Sequence, residues 1–403
     1  MNDIAPLQIA VIGAGPVGLS LALHAARALP EARISVFDAR AIDKDVSGDP
    51  RTLALSLGSV QLLERLGAWR AELAQPILEV HVSQQPLAML PLPGRLGELL
   101  GEPELRIRAV DEAVPLLGAV LSYGSIVAPL QQVWMTAQEA EPERLHSRFG
   151  QAVAALKNID GGVEVDAGIA ERFDLAIVAE GGVFADQARK AIAHDYRQTA
   201  WVGTVQFEGE ADQRARGVAF ERFTRHGPAA LLPLKSGGAG LVWCVPSDDD
   251  PVRELNDAQR VTVLNSIFHP SVGRIASISP LKAFPLGLNA ERTLTDGRSV
   301  RIGNAAQTLH PVAGQGLNLG LRDAFELVHS LQRNPDVAAV LRQLEGQRGP
   351  DRWAMIAATD FLARSFTWKL PGAGAARGLG IAALQALTPL KSALARQMMF
   401  GSR

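Results

Sequence analysis

The feature that most constrains the fold lies at the start of the chain, where an apolar segment runs into closely spaced glycines. Residues 7–12 read Leu-Gln-Ile-Ala-Val-Ile, which predicts a parallel strand buried on both faces. A helix is predicted over residues 17–29, and a second strand over residues 33–38 ends in Asp38. A strand, a glycine turn, a helix and a second strand that ends in an acid form the dinucleotide-binding fingerprint. Its glycines are Gly13, Gly15 and Gly18.

This arrangement predicts a site for a dinucleotide cofactor. The helix N-terminus offers N–H groups to a diphosphate, and the carboxylate of Asp38 is suited to a ribose hydroxyl. The alternative is that the glycines only allow a close contact between the strand and the helix. The fingerprint by itself does not distinguish FAD from NAD, so that choice depends on other parts of the chain.

A second glycine-rich stretch occupies residues 301–323. A short apolar strand over residues 299–302 stops at Gly303, and a periodic apolar helix runs to about Leu331. Glycines in the loop between them would let the backbone approach a flat ligand, and the helix N-terminus would favour negative charge on it. The alternative is a turn that only reverses the chain. The loop contains His310, Pro311, Gly314 and Gly316.

Two further segments extend the pattern. Residues 49–56 read Asp-Pro-Arg-Thr-Leu-Ala-Leu-Ser, in which Arg51 is a good partner for a buried phosphate because a guanidinium donates to two oxygens at once. Residues 173–179 predict an apolar strand, which is followed by Glu180 and Gly181. Each segment has an ordinary alternative, namely a surface arginine and a core strand that ends at a turn.

Together these segments resemble the aromatic-ring flavin hydroxylases, in which a strand followed by Gly-Asp and Pro-x-x-Gly-Gln-Gly-x-Asn contacts the flavin. The narrower resemblance is to the ubiquinone-pathway group that includes 2-polyprenyl-6-methoxyphenol hydroxylase. The run Glu-Arg-Phe at residues 221–223 and the run Gly-Pro-Ala-Ala-Leu-Leu-Pro-Leu at residues 227–234 are also similar to that group. The chain departs from the wider family at two places, because Asn304 and Glu180 stand where aspartate is usual.

The resemblance implies FAD as the cofactor and NAD(P)H as a transient reductant. It also implies a role for a residue on the helix predicted over residues 125–137, where Gln131 is the candidate and a surface glutamine is the alternative. His310 and Pro311 are the catalytic candidates, although no obligate acid or base is assigned and His310 could be purely positional. The implied cofactor-binding residues are Gly13, Gly15, Gly18, Asp38, Arg51, Gln131, Glu180, Gly181, Gly303, Asn304, Pro311, Gly314, Gln315, Gly316, Leu317 and Asn318.

The resemblance also implies an α/β fold, in which a Rossmann-like FAD-binding domain carries an inserted antiparallel β-sheet substrate domain and C-terminal helices. Strand-like runs at regular spacing between residues 195 and 285 agree with such a sheet. Phe223, Leu232 and Trp243 are the candidate substrate residues, with plain core residues as the alternative. The predicted division places the FAD-binding domain at 1–75, 107–190 and 286–340, the substrate domain at 76–106 and 191–285, and a helical region at 341–403.

Composition limits the remaining possibilities. The chain has 40 basic and 42 acidic residues, which gives no sign of a nucleic-acid surface. Its single cysteine fits a reducing cytosol, and no histidine spacing suggests a metal, so we predict a cytoplasmic protein without metal. A last helix is predicted over residues 381–400. The segment 381–403 is amphipathic and mildly basic, which is compatible with contact at the inner face of a membrane or with packing on the protein itself.

The sequence therefore predicts an FAD-dependent monooxygenase that hydroxylates a polyprenylated phenol in ubiquinone synthesis, with O2 and NAD(P)H and through a flavin hydroperoxide. Three alternatives stay open. They are a paralogue that acts at another ring position or on a small free aromatic compound, a flavin-binding subunit that organises a biosynthetic complex without turnover, and a flavin reductase that acts on prenyl double bonds.

Overall fold

The computed structural model describes residues 6–85, 102–180, 191–209, 217–311, 315–365 and 373–401. Its largest apolar core surrounds a six-stranded sheet, in which the N-terminal strand lies between two other parallel strands. The strand order is β19, β20, β12, β1, β2, β8, and only the edge strand β19 is antiparallel. The bounds are β1 Gln8–Ile12, β2 Arg33–Asp38, β8 Leu145–Phe149, β12 Leu175–Val178, β19 Thr295–Asp296 and β20 Ser299–Arg301.

Both faces of this sheet are covered, which explains the continuous apolar runs of its central strands. Three helices, α1 Pro16–Ala28, α3 Tyr123–Ala140 and α5 Gln315–Arg333, contribute side chains to the core on one face. A three-stranded antiparallel sheet covers the other face. Its strands are β9 Ala155–Ile159, β10 Gly162–Asp166 and β11 Ala170–Phe173.

The predicted first strand, helix and second strand are confirmed as β1, α1 and β2. A small antiparallel sheet with the order β3, β7, β4 follows. The helix α2, Leu57–Arg65, begins directly after the first of its strands, and those strands are β3 Thr52–Ser56, β4 Gln75–Ile77 and β7 Gly118–Ser122.

The second large sheet has nine strands. Its order is β21, β18, β13, β16, β15, β14, β5, β6, and β17 pairs with β13. The predicted antiparallel sheet is confirmed, except that β5 runs parallel to β14. The bounds are β5 Glu79–Gln84, β6 Glu104–Arg108, β13 Ile192–Phe207, β14 Val218–Phe223, β15 Pro228–Pro233, β16 Ala239–Pro246, β17 Ile275–Ile278, β18 Lys282–Ala290 and β21 Gln307–Thr308.

The two faces of the nine-stranded sheet differ. The helix α4, Asp257–Ile267, packs on what we call the outer face, where Leu231, Leu241 and Trp243 are buried. The opposite face, called the inner face below, lies towards β3, because a Cβ atom placed on Gly240 would lie 3.0 Å from Thr52 Cγ2. The inner face is therefore the side of the sheet that can meet a ligand held by the six-stranded sheet.

The C-terminal part is helical, with α6 Val337–Ser365, α7 Ala373–Ala386 and α8 Thr388–Phe400. The prediction of one last helix over residues 381–400 is wrong, because the chain breaks at Leu387 between α7 and α8. Pro389 lies in the first turn of α8, and it lacks the N–H group that a continuous helix would need there. Within the described ranges, none of the helices has the length and apolar character needed to cross a bilayer.

Candidate functional site

The glycine turn before α1 leaves an open space at one position and tight packing at the others. A Cβ atom on Gly13, whose φ is +104°, would lie 2.8 Å from the backbone of Glu180, and one on Gly18 would lie 1.9 Å from Gly13 O. Within the described part of the chain, a Cβ atom on Gly15 would meet the Tyr123 hydroxyl alone, at 3.4 Å. Gly13 and Gly18 therefore serve the close packing of the chain, and the space beside Gly15 is available for a ligand.

That space adjoins the N-terminus of α1. Gly15 is the N-cap residue, and no side chain caps the helix there. Pro16, the first helical residue, has no N–H group, so the N–H groups of the residues that follow it are available to an anion, which the helix dipole also attracts. The turn has the space and the N–H groups that a diphosphate requires, and diphosphate binding there stays a prediction.

The predicted ribose acceptor, Asp38, is fixed beside this turn. Its Oδ2 accepts a hydrogen bond from the Ala14 N–H at 2.6 Å, and its Oδ1 accepts one from the Arg40 N–H at 2.7 Å. The Arg40 guanidinium donates to Gln131 Oε1 at 2.9 Å, so the structure brings Gln131 into the same cluster. Arg40 was not singled out from the sequence. The feature that could have indicated it is a basic residue two positions after Asp38.

We expect Asp38→Ala to weaken FAD binding by about 1–3 kcal/mol, because the variant loses the acceptor for a ribose hydroxyl and a bond that shapes the turn. The dissociation constant can be measured by flavin fluorescence on the protein stripped of flavin. Asp166→Ala is a matched control, since Asp166 accepts a local backbone hydrogen bond at an exposed turn. An unchanged dissociation constant for Asp38→Ala would reject the role of Asp38.

Arg51 packs on the ring of Tyr123, and Tyr123 in turn lies beside the glycine turn. The Arg51 guanidinium donates to both carboxylate oxygens of Asp49, and its Cζ lies 4.1 Å from the centre of the Tyr123 ring. The Tyr123 hydroxyl is the group that faces Gly15. The side chain of Arg51 is 56% exposed, so it can turn towards an anion at small cost. Tyr123 is a neighbour of the turn that the sequence reading missed.

Glu180 lies on the far side of Gly13. Burial, and secondly the nearby Asp38 carboxylate, raise the pKa of Glu180 above its usual value. Two carboxyl groups thus share one side of the turn, which favours a hydroxyl-rich ligand part over a further anion there. Gly181 and Gly314, both predicted cofactor residues, lie outside the described residues.

The second glycine-rich stretch packs against the first. Gly303 has a φ of +59°, and a Cβ atom on Gly320 would lie only 2.7 Å from Gly303 Cα. The same Cβ atom would lie 2.9 Å from Val17 Cγ2 of α1, so α5 approaches both elements closely. Asn304 is exposed, and among the described residues its Oδ1 lies 3.8 Å from a Cβ atom placed on Gly316. The start of α5 therefore offers open space bordered by an amide.

Asn318 connects three parts of the site. Its Oδ1 accepts hydrogen bonds from the Ser56 N–H and from the Ser59 hydroxyl, both at 2.8 Å, and its Nδ2 donates to Ala54 O at 3.1 Å. These bonds join the end of β3 and the start of α2 to the first turn of α5. The Asn318 side chain therefore stabilises the contact between these three segments. Gln315 is buried and Leu317 half-buried in the same turn.

His310 is held in the neutral form. Its Nε2 donates to Gln198 Oε1 at 2.9 Å, and its ring meets the ring of Tyr196 edge to face. Burial lowers the pKa of His310 to about 4, so the imidazole is neutral at pH 7. Gln198 Nε2 donates to Ala363 O at 3.4 Å, which orients the amide oxygen towards His310. Pro311, which follows, is half-buried.

The three candidate substrate residues do not lie together. Phe223 and Leu232 belong to an apolar cluster with Leu57 and Met399 on the inner face. Trp243 is 2% exposed and packs with α4 on the outer face, so its side chain points away from the other two. Trp243 is thus a core residue, because strand register pairs it with Ala229, whose side chain is also in the outer core.

The inner face meets the loop before α5 at one defined contact. Gln198 belongs to β13 and pairs with Leu286 of β18, and it bonds to His310 of the loop. The candidate flavin loop therefore abuts one end of the inner face, while the β3–α2 corner carrying Leu57 lies against the cluster that contains Leu232. An elongated cofactor that extended from Gly15 to Gly316 would end beside this apolar surface.

The chain is similar to several known proteins. The FAD binding domain family matches residues 183–350. The ubiquinone hydroxylase UbiL of Rhodospirillum rubrum is 30% identical over 423 residues, covering 97% of this chain and 89% of the relative. The 3-demethoxyubiquinol 3-hydroxylase of Escherichia coli is 28% identical and covers 96% of each chain. HpxO of Klebsiella pneumoniae, solved with FAD and uric acid, has a TM-score of 0.70 at 16% identity, with 98% and 97% of the two chains covered.

Proposed function

The chain belongs to the family of FAD-dependent hydroxylases of ubiquinone biosynthesis, and on that premise we propose that it hydroxylates the aromatic ring of a polyprenylated phenol with O2 and NAD(P)H. One observation carries the proposal. The hydrogen bond between His310 and Gln198 sets the loop before α5 against the inner face of the nine-stranded sheet. A flavin held by that loop would face a largely apolar surface, which suits a phenol with a lipid tail.

We propose that FAD is held by the residues described above. Its diphosphate lies at Gly15 and the N-terminus of α1, its ribose at Asp38, and its flavin at Asn304, Gly316 and the first turn of α5. When bound, FAD supplies the electron reservoir that reacts with O2, which no side chain can provide. The division into FAD-binding segments at 1–75, 107–190 and 286–340 and substrate segments at 76–106 and 191–285 is part of the same proposal.

Residues of the protein perform three tasks in the proposed reaction. The N-terminus of α5 stabilises negative charge at the flavin through its N–H groups and dipole. The apolar inner face, with Phe223 and Leu232, excludes water from the reacting atoms. His310, which stays neutral, offers hydrogen bonds without adding a positive charge beside the ring.

A turnover assay tests the proposal. Protein loaded with FAD is mixed with NAD(P)H and 2-allylphenol, and nucleotide oxidation is compared with the amount of dihydroxylated product in air and under nitrogen. We expect oxidation that depends on the phenol and a product that requires oxygen. Equal turnover under nitrogen would support a reductase. FAD binding without any turnover would support a non-catalytic subunit of a biosynthetic complex. Turnover of phenol but not of prenylated phenols would support a paralogue for small aromatic compounds.

We also propose a peripheral contact of residues 381–403 with the inner face of a membrane. One side of α8 packs on the protein through Lys391, Ala395 and Met399. Another side leaves Leu390 51% exposed, next to Leu387 at 53%. A side that is already packed would anchor the helix, and the exposed leucines would enter the lipid.

We expect Leu387→Ser with Leu390→Ser to reduce co-sedimentation with anionic phospholipid vesicles by at least about tenfold, since each leucine loses roughly 1.5 kcal/mol or more of burial in lipid. Leu73→Ser, at a leucine 46% exposed on a distant short helical turn, serves as the control. Equal co-sedimentation of the double variant and the control would mean that this helix serves only to pack on the protein.

A further inference from the structure

Glu221 lies on the inner face of the nine-stranded sheet. Its neighbours in β14 point to the outer side, because Phe220 packs on the outer core and the Arg222 guanidinium donates to Ile267 O of α4 at 3.1 Å. Side chains alternate along a strand, so the carboxyl group of Glu221 projects to the inner side. Phe223, two residues further on, belongs to the inner cluster.

The surroundings of this carboxyl group are apolar. The register places Val82 of β5 and Ala230 of β15 beside Glu221, and Val242 of β16 is next in the row. Within the described ranges, the Glu221 carboxylate makes no hydrogen bond and no ion pair to another residue. Glu221, Ala230 and Val242 all keep partly accessible surface, whereas Arg222, Leu231, Leu241 and Trp243 on the other side of the same strands are buried.

An acid without a hydrogen-bonding or ionic partner in apolar surroundings is costly, so its position needs a reason. Burial raises the pKa of Glu221 to about 7. Among the described residues, Cys244 is the titratable group that interacts with it, and burial and the Glu221 carboxylate both raise the pKa of that thiol, which stays protonated. A carboxyl group that is about half ionised at neutral pH has the proton affinity required of a general base.

We propose that Glu221 binds the hydroxyl group of the phenol substrate and removes its proton. The phenol O–H bond breaks, the proton passes to a carboxylate oxygen of Glu221, and the electron pair stays on the phenol oxygen. The resulting phenolate is richer in electrons at its ortho and para carbons, where an oxygen atom is to be added. This role rests on the proposed function, since it requires a phenol on the inner face.

The test compares wild type with Glu221→Gln, which keeps the shape of the side chain and lacks the base. We expect kcat/KM for 2-allylphenol to fall at least about 100-fold. In the wild type, kcat/KM should rise with pH through about 7, and this rise should vanish in the variant. Glu221→Asp should restore part of the rate and the pH-dependent rise. The FAD content and the rate of FAD reduction by NAD(P)H without phenol should not change.

A second readout needs no substrate. The folded protein keeps the Glu221 proton up to about pH 7, whereas the unfolded chain releases it near the ordinary value of 4.5. The raised pKa therefore costs stability as the pH rises from about 4.5 to 7, and the full cost remains above 7. Glu221→Gln should have a higher Tm than wild type at pH 8, and the gain should shrink as the pH is lowered towards 4.5.

The outcomes separate this role from the proposed function. Wild-type turnover of the phenol, with unchanged kcat/KM and pH profile in Glu221→Gln, would overturn the role of Glu221 and leave the function standing. Wild type that binds FAD but does not hydroxylate the phenol would overturn the function, and the role with it. A Tm difference between variant and wild type that is the same at pH 8 and pH 4.5 would contradict a buried, unpaired carboxylate.

Discussion

We expect Gly15→Glu to abolish FAD binding and to leave the protein folded. The backbone at Gly15 has φ −83° and ψ −173°, which any residue can adopt, and a Cβ atom there would meet, among the residues that the structure describes, the Tyr123 hydroxyl alone at 3.4 Å. The fold therefore accepts a side chain at this position. The added carboxylate would occupy the N-terminus of α1, where we propose that the diphosphate binds, and its charge would repel the ligand.

We expect the dissociation constant for FAD to rise at least about 1,000-fold, which corresponds to roughly 4 kcal/mol. Equilibrium dialysis against FAD measures the loss, and circular dichroism checks the fold. Gly15→Ala is the matched control, because it adds the Cβ atom without the charge and should cost less than about tenfold. A Gly15→Glu protein that still bound FAD within tenfold of wild type would place the diphosphate elsewhere.

Arg348→Ala should destabilise the protein by about 3–5 kcal/mol, since it leaves buried carboxylates without their cation. Arg348 Nε donates to Asp323 at 2.8 Å and Nη1 donates to Asp351 at 2.7 Å, with side-chain exposures of 5% for the arginine and 0% for both acids. Gln397 of α8 donates to Asp351 at 2.6 Å. One network thus fixes α5, α6 and α8 together, so its loss should also loosen the first turn of α5.

Thermal unfolding of the flavin-loaded protein measures the effect. Arg108→Ala is the control, because its ion pair with Asp111 is exposed and screened by solvent, so its loss should change stability far less. A fall in Tm for Arg348→Ala no larger than that for Arg108→Ala would mean that the buried network does not hold the C-terminal helices in place.

The first βαβ unit could be predicted because its signals are local. The apolar run of β1, the tight glycine turn and the acid at Asp38 all follow from packing on both faces of a parallel sheet and from the approach of helix to strand. The spacing of the strands in the second sheet was predictable for the same reason, since each strand carries its own alternation and turn residues.

Contacts between distant segments were not predictable. Asn318 stays a predicted cofactor-binding residue, and nothing in the sequence indicated that its amide accepts hydrogen bonds from Ser56 and Ser59, which lie about 260 positions away along the chain. The parallel pairing of β5 with β14 has no local signature either. The error in predicting Trp243 as a substrate residue has a different cause. The alternation of side chains along β16 was visible in the sequence, but the sequence did not show that α4 packs on the side of the sheet that carries Trp243.

The most direct test of the proposed function is the reaction of FAD-loaded protein with 2-allylphenol and NAD(P)H under 18O2, followed by mass spectrometry of the product. We predict one added oxygen atom, and we predict that it carries the 18O label. A product that gained no oxygen, or that gained oxygen from unlabelled water, would contradict ring hydroxylation by this protein.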